Sequence, residues 1–305
     1  MSTIKITIPS SKHLVSLADN DYDLPANFIY HLKDRGNLFK FRFKKYEGKI
    51  LPNGDENFKV GDRIHGVRLS PDSIQGYNLK SAKKTDPDIK SDIYEVSSSI
   101  DLEYFPTDTR KIIINSAGYE GNFHGIKNNF MKIGRLMRKE KCGSFVMYQH
   151  TGFWNLLDNL LLALESISSD LQDVIDFCNQ NSYKISKSSK PKLYLSGFSM
   201  GGGAAAITGA KNPNVEKMLL IAPSPEKRED LILKWLGEYR GELYFVHGQR
   251  DGVIPWFNSK NFAKAANKAN KVELVTIKNC DHRFTGEGFQ KEFIQSYSRV
   301  FANDN

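Results

Sequence analysis

The sequence predicts an α/β protein, a mostly parallel and doubly wound sheet that carries a β-rich extension at its amino end. Three observations lead there. From about residue 97 onward, short apolar runs of the buried-strand kind alternate with amphipathic stretches, and that alternation builds a parallel sheet covered by helices. Three of the runs end on a serine, an aspartate and a histidine in turn, and the carboxyl ends of parallel strands are where such sheets bind ligands. Before residue 97 the pattern becomes period two, with turn residues between the runs.

Residues 4–8 (IKITI) and 39–43 (FKFRF) alternate as half-buried strands do, and turns are expected at Pro52-Asn53-Gly54 and Val60-Gly61-Asp62. Lys40 and Arg42 are read as a wet strand face. Residues 81–99, rich in Ser, Lys and Asp with an Asp86-Pro87 pair, read as a linker. The expected organisation is an accessory β-rich region over 1–96 and a catalytic domain over 97–305. The accessory region could shape specificity, mediate oligomers such as a homodimer, or extend the sheet.

In the second part, strands are expected at 100–105, 111–116 and 144–148, with a helix at 128–139 between the last two. A long helix follows over 153–179, bent near Ser168. Next come a strand at 193–198 with its helix, a strand at 217–222, a helix at 229–239 and a strand at 242–246. A helix at 256–269, a strand at 272–277 and an amphipathic helix at 289–301 close the chain.

With 305 residues, 40% of them hydrophobic and 26% charged, the chain can bury a sizeable core. The formal charge of +8 is spread along it. Its densest stretch sets Lys127, Lys132, Arg135, Arg138, Lys139 and Lys141 around a helix whose apolar face is Phe130, Ile133 and Met137. That is a solvated helix face, so no specific nucleic-acid partner is expected. No basic start with a long apolar run opens the chain, and the apolar cluster at 153–164 is broken by Asn155, Asp158 and Asn159. Neither a signal peptide nor a membrane span is expected. Cys142, Cys178 and Cys280 are odd in number and scattered, which suits a cytoplasmic location better than a disulfide framework. Zinc-binding and phosphate-loop spacings are missing, so no metal or other cofactor is expected.

Residues 193–203 read LYLSGFSMGGG. A strand that turns straight into a helix holds its central serine in a strained backbone conformation, and glycines two before and two after keep the crossing chains apart. Here those residues are Gly197, Ser199 and Gly201. Residues 242–248 (ELYFVHG) lead into Gln249-Arg250-Asp251-Gly252-Val253-Ile254-Pro255, and 272–277 (VELVTI) into Lys278-Asn279-Cys280-Asp281-His282. Ser199, Asp251 and His282 therefore each follow a strand end.

Through GFSMGG, VHGQRDGVIP and CDHRF the chain resembles the α/β-hydrolase superfamily over about residues 100–300, in its esterase or its dienelactone-hydrolase-like branch. The resemblance implies Ser199 as nucleophile, His282 as general base and Asp251 as the acid that orients and stabilises the imidazolium. The family places its first oxyanion loop after the strand at 111–116, here Ala117-Gly118-Tyr119, so the amides of Tyr119 and Met200 are the implied donors. Many members carry a His-Gly pair where this chain has Ala117-Gly118. The gap from 222 to 242 leaves room for one helix, so a wide lipase-like lid is not expected there.

Alternatives stay open for each role. Asp281 or Asp230 could supply the acid, and His247 competes with His282 but is read as packing against its loop. His150 is read as structural rather than pocket-lining, and Cys280 as a small buried residue rather than a reactive thiol. The expected activity is cleavage of a small-molecule acyl substrate, a carboxylic ester, through an acyl-enzyme. Acyl transfer, thioester or peptide cleavage, and a non-catalytic binding module remain as alternatives.

Overall fold

The structure is a computed structural model that describes residues 3–11, 13–18, 31–32, 39–43, 46–50, 78–81, 91–119, 123–151, 163–226 and 228–302, without the side chains of 13–97 and 165. It divides into two compact units, one of residues 1–8, 101–150 and 164–305, the other of 9–100 and 151–163.

The first unit is built on an eight-stranded sheet. In chain order its strands are β1 (Ile4–Pro9), β8 (Ser99–Phe105), β9 (Lys111–Ser116), β10 (Ser144–Tyr148), β11 (Lys192–Phe198), β12 (Val215–Ile221), β13 (Glu242–Gly248) and β14 (Lys271–Ile277). Their order across the sheet is β1-β8-β10-β9-β11-β12-β13-β14. The strands from β10 to β14 pair in parallel, and β8 runs antiparallel to β10. From β9 the chain goes first to β10 on one side and then to β11 on the other, so the order reverses between β9 and β11. A reversal of this kind opens a crevice at the carboxyl ends of the two strands.

The central strands carry continuous apolar runs because both faces are covered. Ile112, Ile113 and Ile114 in β9 and Leu219, Leu220 and Ile221 in β12 are all fully buried. Edge strand β14 is half-exposed and presents Lys271 and Glu273, charges that discourage further strand pairing. Helices α1 (Asn129–Lys139) and α7 (Glu287–Phe301) cover one face through Phe130, Ile133, Met137, Phe293, Tyr297 and Phe301, packed against Ile113, Tyr194 and Leu219. On the other face α4 (Met200–Lys211) meets Leu195 and Met218, the residues that alternate with those strand positions. Helices α2 (Ala163–Gln180), α3 (Ser182–Ser186), α5 (Glu229–Leu236) and α6 (Phe257–Ala265) complete the helical layers.

Strands β9 and β10 have the bounds read from their sequence, and the other strands and helices from residue 97 onward lie within a few residues of theirs, except the long helix. That helix is described from Ala163 and runs unbroken through Ser168 to Gln180; residues 152–162 lie outside the described residues. The segment at 4–8, expected with the accessory region, forms β1 in the eight-stranded sheet, where Thr7 Oγ1 donates to Asp101 Oδ1 at 2.6 Å.

The second unit holds β2 (His13–Ala18), β3 (His31–Leu32), β6 (Asn78–Ser81) and β7 (Ser91–Ser97) in a four-stranded sheet of order β3-β2-β7-β6. It also holds the hairpin of β4 (Phe39–Phe43) and β5 (Tyr46–Ile50). Of the linker expected over 81–99, residues 82–90 lie outside the described residues, and the remainder is a correction: 91–97 is an internal strand, paired on one side to β2 and on the other to β6. Ile93, Tyr94 and Val96 supply the β-forming residues that the surrounding Ser and Asp disguised. The two turns expected near 53 and 61 lie outside the described residues.

Candidate active site

Ser199 sits between β11 and α4 at φ 54 and ψ −122, a backbone conformation that costs a non-glycine residue about 1–3 kcal/mol. Main-chain bonds hold it there. Its amide donates to Ile221 O at 2.9 Å, and its carbonyl accepts from Ser224 and Gly203 at 2.8 and 3.1 Å. The flanking glycines are required by space. A Cβ on Gly197 would lie 2.2 Å from Gly201 O, and one on Gly201 2.2 Å from Ser116 O.

The loop after β13 is stitched to the loop after β14 by main-chain bonds from Gln249 to Ile277 O and from Arg250 to Cys280 O, both at 2.9 Å. Those bonds extend the β13–β14 pairing past the strand ends and bring Asp251 against His282. Asp251 Oδ1 accepts from the amides of Val253 and Ile254 at 2.9 and 2.7 Å, and Oδ2 lies 2.7 Å from His282 Nδ1. His282 Nε2 is 3.0 Å from Ser199 Oγ. Burial alone would raise the Asp251 carboxyl, but hydrogen bonds from His247, His282 and the Ile254 amide outweigh it and hold the group below the usual carboxylate range. The ionised carboxylate only accepts, so His282 Nδ1 carries the proton and a neutral ring leaves Nε2 free to accept from the Ser199 hydroxyl.

Gly118, in the loop after β9, closes against the serine: a Cβ on it would lie 3.2 Å from Ser199 Cβ. Tyr119 follows, 37% exposed. Met200 is the first residue of α4, where main-chain amides lack an intrahelical acceptor. These four segments surround a cleft of about 450 Å³ lined by Gly118, Tyr119, Ser199 and His282, with aromatic walls from Phe130, Phe198 and Phe293. Phe198 stacks obliquely on His282 at 5.1 Å between ring centres. Asn129 also lines the cleft, and its side-chain oxygen is buried without a hydrogen-bond partner.

The competing residues go elsewhere. Asp281 caps its own loop by accepting from the Thr285 amide at 2.7 Å, and Asp230 is exposed beside Arg228 at 3.9 Å. Cys280 is fully buried, and burial, with Asp281 and Asp251 adding to it, pushes its thiol up to about 12, so it is no thiolate near neutral pH. His150 is buried outside the cleft lining, 8% exposed, with Nε2 3.2 Å from Ala117 O, and burial lowers it to about 4. The residue that sequence reasoning undervalued is His247, whose ring reaches Asp251 Oδ2 at 3.1 Å. Its place four positions before the aspartate, at a strand end, was the available signal. Among the described residues, no cluster of His, Cys, Asp and Glu could hold a metal ion, and no helix is long and apolar enough to cross a membrane.

No protein-family model and no curated protein matches the sequence. Solved structures do. Est1E from Butyrivibrio proteoclasticus is similar with a TM-score of 0.53 at 12% identity, over 74% of this chain and 97% of that one. A dienelactone hydrolase from Anabaena variabilis gives 0.53 at 15% identity, over 74% and 98% of the two chains. The Pyrococcus furiosus esterase Pf2001 gives 0.51 at 14% identity, over 77% and 97%. Nearly the whole of each neighbour is matched, and the eight-stranded, mostly parallel sheet with its covering helices therefore has the α/β-hydrolase fold.

Proposed function

We propose that the protein is a serine hydrolase that cleaves a carboxylic ester of a small-molecule acyl substrate through an acyl-enzyme. The observation that carries this reading is the unbroken chain of hydrogen bonds from Ser199 Oγ through the His282 ring to the buried Asp251 carboxylate. A serine hydroxyl is a poor nucleophile near neutral pH and needs a base within reach as it attacks. In the proposed reaction Ser199 Oγ adds to the acyl carbon while its proton passes to His282 Nε2. The amides of Met200 and Tyr119 receive the oxyanion, and Asp251 stabilises the imidazolium. The imidazolium then protonates the departing alkoxide. Water repeats the sequence on the acyl-enzyme, giving its proton to His282 and releasing the acid as the proton returns to Ser199.

Aromatic walls beside Ser199 support an acyl group with an apolar body. The likeness to esterase structures supports ester cleavage, and three buried, unpaired cysteines support a reducing, cytoplasmic setting. The test is hydrolysis of p-nitrophenyl acetate, butyrate and octanoate, with labelling by a fluorophosphonate probe, in the native protein and in Ser199→Ala and His282→Ala. Turnover and labelling are expected in the native protein only, with both variants losing about a thousandfold or more. A native protein silent on every ester and unlabelled by the probe rejects the reading.

A further inference from the structure

His247, the penultimate residue of β13, is fully buried and reaches the site through its carboxylate. Its Nε2 is 3.1 Å from Asp251 Oδ2 and 3.0 Å from Ile254 O, and its Nδ1 is 2.7 Å from Ser259 Oγ in α6. A carbonyl oxygen and an ionised carboxylate only accept, so Nε2 carries the proton and Nδ1 receives the Ser259 hydroxyl. The tautomer is set from both ends of the ring.

We propose that His247 is a positioning residue for the Ser199, His282 and Asp251 relay: its Nε2–H shares Asp251 Oδ2 with His282 and fixes the plane and charge of the carboxylate. The proposal rests on the hydrolase reading above. Asp251 then has four donors for its four lone-pair directions, two amides on Oδ1 and two imidazoles on Oδ2. No freedom to rotate remains, and its charge is spread over both rings. The titratable groups facing His247 are Asp251 and, through that carboxylate, His282 and Cys280 from the loop after β14. Helix α6 contributes the uncharged Ser259, and β14 pairs Thr276 with it.

Without the His247 donor, Oδ2 keeps more of its charge for His282 alone. The imidazolium is then favoured, which moves the acid limb of the pH profile upward. The carboxylate also regains freedom to turn and aims the His282 ring at Ser199 less well, and that loss of one positioning donor corresponds to about tenfold in rate. Ser259 acts one bond further out: by donating to Nδ1 it strengthens the Nε2–H, so its loss works in the same direction and more weakly.

The experiment compares His247→Leu, His247→Gln and Ser259→Ala by two readouts: the pH profile of kcat and KM on p-nitrophenyl acetate, and an NMR titration of the His282 ring, which needs no turnover. Expected for H247L are a kcat about tenfold lower with KM unchanged, and an acid limb and ring titration both moved up by about half to one pH unit. H247Q restores an amide donor and most of both values, and S259A gives a smaller shift of the same sign. An unmoved ring titration in H247L and S259A, or H247Q as impaired as H247L, overturns the proposal and leaves His247 a packing residue. If H247L does not fold, H247Q and S259A decide by the same criteria. A ring titration that shifts in a protein with no esterase activity and no probe labelling supports the positioning role while rejecting the hydrolase reading.

Discussion

Asp251 takes both its amide bonds from the two residues that follow Gly252, so its own loop orients the carboxylate before either imidazole arrives. Asp281 is only one residue from His282, yet it accepts from the Thr285 amide, and the ring's Nδ1 bonds Asp251 instead. Proximity in sequence therefore did not select the partner of His282; the loop's backbone did. Asp251→Asn keeps the shape but offers an amide that cannot hold the required His282 tautomer. A kcat about a thousandfold to ten-thousandfold lower is expected, with KM little changed. Steady-state kinetics on p-nitrophenyl acetate check it, and a variant within tenfold of the native rate removes Asp251 from the proposed mechanism.

At the scale of elements, β11 and α4 meet in a turn so tight that two glycines leave no room for a methyl group. Gly201 faces the end of β9 through Ser116 O, and Gly197 faces Gly201 itself. Alanine at either position must push main chain apart, since no side chain can yield. Gly201→Ala is expected to destabilise the protein by about 3 kcal/mol or more and to displace Ser199, so that fluorophosphonate labelling falls with the melting temperature. A fully labelled, equally stable variant contradicts the packing. The same turn shows why this part of the chain was readable beforehand: the glycine spacing and the apolar run are local, and they report a local geometry. The polar-looking segment at 91–97 was not readable, because its place between β2 and β6 depends on partners far away in the chain.

Across the whole molecule, buried titratable groups set how stability responds to pH. His150 is held neutral, its value lowered by burial from the ordinary 6.5 to about 4. Its unfolded form binds a proton first, so stability is full above about pH 6.5 and falls toward pH 4, a loss that the buried Asp170 carboxylate 3.8 Å from Nδ1 softens. Asp251 adds a second loss only below the ordinary carboxylate range, near pH 4, because its folded value lies lower still. Denaturant melts at pH 7.5, 6 and 4.5 check this, and His150→Gln, which retains a donor for Ala117 O, is expected to flatten the curve above pH 4.5. A native protein equally stable at pH 7.5 and 4.5 contradicts it.

The sequence by itself determined the alternation of strands and helices from residue 97 onward. It also determined the strained serine turn and the placement of an aspartate and a histidine after later strands. Apolar periodicity and glycine spacing are local and are written directly in the chain. Only the tertiary structure decided which aspartate meets the histidine, that a second buried imidazole shares its oxygen, and that residues 4–9 pair in the large sheet. Apart from the local contact of His247 with Asp251, those choices depend on hydrogen bonds and register between segments tens to a hundred residues apart, which become defined once the sheet is assembled and water is excluded.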